Sequence, residues 1–110
     1  MKIHLVKEKT VRKYALANAR SRSSLRLWLA KLQKADWVEP DDILQIFATA
    51  DLLGNGSNRV VFDIGGNNYR MICKYWFAVT RVHLYVKWLG THAEYTHLCA
   101  ENLQYTVEDY

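Results

Sequence analysis

Three segments that alternate apolar with mixed residues, joined by two tight connections, restrict this chain more than anything else in it. In Arg59–Ile64 the apolar set is Val60, Phe62 and Ile64. In Tyr69–Phe77 it is Tyr69, Met71, Cys73, Tyr75 and Phe77, and in Arg81–Leu89 it is Val82, Leu84, Val86 and Trp88. Period-two alternation predicts strands with one core face and one mixed face. Gly65-Gly66-Asn67-Asn68 has the chemistry of a hairpin turn, and Ala78-Val79-Thr80 connects the second and third strands. An antiparallel meander follows.

The register of that meander is set by keeping core residues beside core residues, since a slip of one position turns every side chain over. With Ile64 opposite Tyr69, Asp63 faces Arg70, Val61 faces Ile72 and Arg59 faces Lys74. The next pair then sets Arg70, Ile72, Lys74 and Trp76 beside Arg81, His83, Tyr85, Lys87 and Leu89. One face collects Arg59, Arg70, Lys74, Arg81, His83 and Lys87 against Asp63 alone. Like charges across strands repel, so a bound polyanion is the expected compensation.

The remainder reads as cover for the sheet. Ile3 and Leu5 predict a short opening strand at a sheet edge, and Glu8 to Arg20 carries a one-sided helical pattern through Val11, Tyr14, Ala15 and Asn18. Ser21 to Ser24 breaks that pattern and is placed to cap the next helix. Leu25, Trp28, Leu29 and Leu32 fall at i, i+3, i+4 and i+7, which puts one stripe of Ser24 to Lys34 against a core. Pro40, with Asp41 and Asp42 beside it, starts a short third helix through Ile43, Leu44 and Phe47. Asp51 to Asn58, rich in Gly and Asn, reads as loop, and the tail from Leu103 carries no evident signal. With 110 residues, half of them hydrophobic, the chain is expected to form one α+β domain over residues 1–110.

Charge is strongly segregated. Residues 1–34 hold ten Lys or Arg against the single acid Glu8, a net +9, whereas residues 35–51 hold five acids and no base. Such a basic stretch suits RNA or an acidic protein partner, although it also suits a plain solvated helix face. No apolar run approaches the length of a membrane span, and the opening apolar segment is too short for a signal peptide. A cytoplasmic chain is expected, with Cys73 and Cys99 as free thiols.

Thr91-His92-Ala93-Glu94 fits the capping box, so a last helix is expected to begin at the end of the third strand, its N–H groups forming an anion site. His92 and Tyr95 lie in that first turn. RNA cleavage by its own 2′-hydroxyl needs a base, an acid and cations for the phosphorane, and no metal. Arg70, Lys87, His92 and Tyr95 are the candidate catalytic residues. Arg70 has the alternative of pairing with Asp63, Tyr95 of being a core aromatic, and His92 and Lys87 of being ordinary surface residues. His92 and His97 do not share a helical face and Cys99 stands alone, so no metal site is expected, and no nucleotide-cofactor motif is present.

Lys34-Ala35-Asp36-Trp37 with Pro40, Ala50-Asp51 with Gly54-Asn55, Arg59-Val60-Val61-Phe62 with Gly66-Asn67 and Tyr69-Arg70, and finally Gly90-Thr91-His92-Ala93-Glu94-Tyr95 together resemble the HigB toxins of bacterial type II toxin-antitoxin modules. The resemblance runs over about residues 25 to 102. It implies a RelE-like fold, with N-terminal helices packed on a small antiparallel sheet followed by a C-terminal helix. It also implies an mRNA interferase acting on the ribosome without cofactors, and a HigA-type helix-turn-helix antitoxin through which alone operator DNA is reached. By position, Arg70 matches the arginine that holds the scissile phosphate in RelE-like toxins, and Tyr95 their late tyrosine. Thr96 and Lys87 depart from the family pattern, where an acid and an arginine are frequent.

Arg26 and Lys31 on the second helix, with Arg59 and Lys74 on the sheet, are the candidate RNA contacts. Two other functions fit the same fold: a ParE-like toxin that binds gyrase without cleaving nucleic acid, and a non-catalytic RNA-binding subunit.

Overall fold

The computed structural model describes residues 1–110. Strand β1 (Lys2–Val6) leads into helices α1 (Glu8–Ala17) and α2 (Arg22–Gln33). A one-turn helix α3 (Ile43–Ile46) and strand β2 (Asp51–Leu53) precede the meander β3 (Arg59–Ile64), β4 (Tyr69–Phe77) and β5 (Arg81–Thr91), and helix α4 (His92–Ala100) follows, with a single 3-10 turn at Leu103–Tyr105 after it. The five strands form one sheet in the order β1-β5-β4-β3-β2.

The expected register between β3 and β4 is the observed one, with Arg59 opposite Lys74, Val61 opposite Ile72, Asp63 opposite Arg70 and Ile64 opposite Tyr69. Gly65 and Gly66 both take positive φ, 63° and 64°, which a residue with a Cβ adopts only under strain. The sheet is mixed rather than purely antiparallel, because β1 pairs in parallel with β5 at the edge. Asp51–Leu53, read as loop, adds a short antiparallel strand to β3.

Helices α1 to α3 cover one face. Leu25, Trp28 and Leu32 of α2 are buried against Val60, Phe62, Ile64, Met71, Cys73, Val82, Leu84 and Val86. Burial of a leucine here contributes about 1.5–3 kcal/mol relative to exposure. Trp28 and Phe47 meet the Phe62 ring edge-on, at centroid distances of 5.3 and 4.9 Å. Ser21 does not cap α2; its hydroxyl donates to the Asn18 carbonyl at 2.7 Å, closing the turn that separates α1 from α2.

The other face departs from simple alternation. A bulge sits between the Ile72–Trp88 and Cys73–Val86 pairs, leaving Lys87 as the extra residue. An inserted residue reverses the faces beyond it. Trp88, expected in the helix-side core, therefore lies with Val61 and Ile72 on the opposite face, while Leu89 joins the helix-side core. Leu53, Tyr95, Leu98 and Val107 pack on this second, smaller core. Gly90 leaves room for the Trp88 ring: a Cβ there would stand 2.6 Å from Trp88 Cη2.

Candidate functional site

The capping box places the site. Glu94 N–H donates to Thr91 Oγ1 at 3.2 Å, and Thr91 N–H donates to Glu94 Oε1 at 2.8 Å. His92, the first residue of α4, donates its backbone N–H to the Asn68 carbonyl at 3.0 Å, tying the helix start to the β3–β4 turn. Beneath that junction Arg70 pairs with Gly90 and Tyr69 with Thr91. Arg70, His92 and Tyr95 are thereby gathered at one end of the sheet.

Arg70 is nearly buried. Its Nε lies 3.0 Å from Asp63 Oδ1, one terminal nitrogen donates to Asn67 Oδ1 at 2.7 Å, and the other to the Tyr69 carbonyl at 3.0 Å. A guanidinium has five N–H donors, so two remain unspent. Pairing with Asp63 and holding an anion are compatible roles for this side chain.

Tyr95 is half-buried, its ring centroid 6.0 Å from that of Trp88. Burial first, then the Cys99 thiol and the Asp51 carboxylate, push its phenol above the ordinary tyrosine range, with the Arg70 charge acting the other way. The group is a neutral O–H at physiological pH and hence a proton donor. The His92 ring is half-exposed, with Nδ1 3.3 Å from the Thr96 hydroxyl.

The other candidates are dispersed. Lys87 stands three residues from Gly90 along β5, roughly 10 Å at strand spacing, and donates to Glu108 Oε2 at 2.7 Å. Arg59 is not an available RNA contact. It is 3% exposed and donates to the Val107 and Gln104 carbonyls, at 2.7 and 3.4 Å, and to Glu108 Oε1 at 3.1 Å. Lys74 is exposed on the same face. Arg26 and Lys31 are exposed on α2, in the layer across the sheet from α4, so the expected cations do not form one surface.

The tail is visibly acidic at Glu108-Asp109, but nothing in its sequence says where Glu108 goes. The surplus of cations on the β3–β5 face was the only hint that an acid would be drawn there. Asn67 reads as a turn residue, and its grip on Arg70 depends on where the turn points it.

Three helices on one face of a small mixed sheet, with a capped helix bringing arginine, histidine and tyrosine together on the other, define an α+β protein of the RelE-like class. The chain belongs to the HigB_toxin family, described as the RelE-like toxic component of a toxin-antitoxin system, whose match covers residues 21–98. It is thus the toxin of such a pair, and an antitoxin is its partner. The comparison with curated proteins returns no match. No helix is long and apolar enough to cross a membrane.

Proposed function

We propose that this toxin is a ribosome-dependent, metal-independent mRNA endoribonuclease that acts in the cytoplasm, cleaves translated messages and is neutralised by a HigA-type antitoxin. The observation that carries the reading is that strand register and the start of α4 set Arg70, His92 and Tyr95 at one end of the sheet, with the Arg70 charge acting on the Tyr95 phenol. His92 takes the proton from the 2′-hydroxyl as it attacks phosphorus. Arg70, with the positive end of the α4 dipole behind it, stabilises the phosphorane, and Tyr95 returns a proton to the departing 5′-oxygen. The products are a 2′,3′-cyclic phosphate and a 5′-hydroxyl. Tyr95 carries the O–H that the leaving oxygen needs, burial making it a weaker acid than an exposed phenol, and His92 carries a ring nitrogen able to accept a proton.

Arg70→Ala and His92→Ala are expected to abolish growth arrest at equal expression while circular dichroism remains that of the folded protein. Transcripts in cells making the native toxin should shorten before any DNA-damage response appears. Damage first, with intact transcripts, points to gyrase and overturns the proposal. Full toxicity of both variants overturns the site.

A further inference from the structure

Beyond α4 the same sheet face carries exposed and partly exposed side chains in ordered rows. One row across β1, β5 and β4 reads His4, His83, Trp76, and the next reads Val6, Tyr85, Lys74. Trp76 and His83 stack with centroids 5.3 Å apart and planes 24° apart, and His83 stacks on Tyr85 at 6.3 Å and 29°. His4 meets His83 edge-on at 5.6 Å. Lys87 Nζ lies 5.7 Å over the Tyr85 ring, whereas Trp76 is 58% exposed. The pile therefore has one covered ring and one open ring.

Lone exposed aromatics are common and need no explanation. Here the open tryptophan ends a pile of near-parallel rings with exposed Lys2, Arg81 and Lys74 beside it, and no side chain in these rows is acidic. The tail marks the limit of the patch, running from Arg59 to the β5 edge, where Asp109 N–H donates to the Lys87 carbonyl at 3.0 Å. Rings that extend a stack, flanked by cations that meet phosphates, are the components of a single-stranded nucleic-acid platform. We infer that Trp76, His83 and Tyr85 form a stacking subsite for single-stranded RNA, with Trp76 receiving a base and Lys74 and Arg81 its phosphates. The inference rests on the RNA-directed reading above and places nucleotides flanking the cleaved bond on a surface separate from Arg70, His92 and Tyr95.

The test is fluorescence anisotropy with a fluorescein-labelled oligoadenylate RNA, the full chain and no ribosomes. Trp76→Ala should weaken binding roughly 5- to 100-fold with the dependence on salt unchanged, and Trp76→Phe should retain most of the affinity. Lys74→Ala should lower the salt slope by about 0.7. Wild-type binding by Trp76→Ala, or no binding by the native chain, overturns the subsite. So does a Trp76→Ala variant that binds RNA normally but loses self-association or antitoxin capture, since the face is then a protein interface. If transcripts stay intact in cells while RNA binding depends on Trp76, cleavage fails and the platform stands. If they shorten and Trp76→Ala binds normally, the platform alone fails.

Discussion

Arg70 and Arg59 lie on neighbouring strands with their side chains on the same face, yet their uses differ. Arg70 keeps two donors free beside the α4 N-terminus, while Arg59 commits its guanidinium to the carboxy-terminal tail. Arg59→Ala would leave the Val107 and Gln104 carbonyls without their donor but would not strand a buried charge, because Glu108 is more than half exposed. A loss of about 2–3 kcal/mol is expected, read as a lower urea midpoint, with Arg59→Lys recovering part of it. An unchanged midpoint would show that the tail clamp contributes nothing. The Asp63–Arg70 pair was legible in the sequence because it follows from the turn length and the alternation of faces. The burial of Arg59 was not, since its partners lie far along the chain in a segment without periodicity.

At the scale of elements, the signals that held were local. The Gly65-Gly66 turn, the α2 stripe and the Thr91–Glu94 capping box each rest on residues a few positions apart. The bulge at Lys87 escaped because alternation assumes that no residue is inserted, and Lys87 and Trp88 satisfy either face until a neighbouring strand is in place. The parallel pairing of β1 escaped for a related reason: an edge strand of five residues carries no mark of its direction. The candidate site inherits this division, since the α4 residues and Arg70 were placed by local rules while Lys87 and Arg59 depended on the tail. Thr91→Ala tests the local part. It removes the acceptor of the Glu94 N–H and should cost about 1 kcal/mol of stability. Because His92 begins the same turn, toxicity should fall as well, and Thr91→Ser should restore both. A destabilised Thr91→Ala with undiminished toxicity would show that the orientation of the α4 start does not matter to the activity.

Across the whole molecule, the tail acts as a strap joining β3 to β5 through one carboxylate. Glu108 meets Lys87 and Arg59, at 2.7 and 3.1 Å, and the backbone of Asp109 closes on the Lys87 carbonyl. The Lys87 ammonium first, then Arg59 and Lys74, hold the Glu108 carboxyl below the ordinary glutamate range. In the acid region the unfolded chain therefore binds this proton more readily than the folded one. The contribution to stability is fully present above the ordinary glutamate pKa and is lost as pH falls through the lower folded value. Exposure of Glu108 limits that contribution to about 1 kcal/mol or less per bridge. Urea midpoints measured from neutral pH down to about pH 3 should thus fall more steeply for the native chain than for Glu108→Gln, with the two curves converging at the acid end. The separation at neutral pH should shrink in high salt, which screens an exposed pair. Parallel curves across the whole range would mean that the strap is held by Val107 and the backbone, with the carboxylate a bystander.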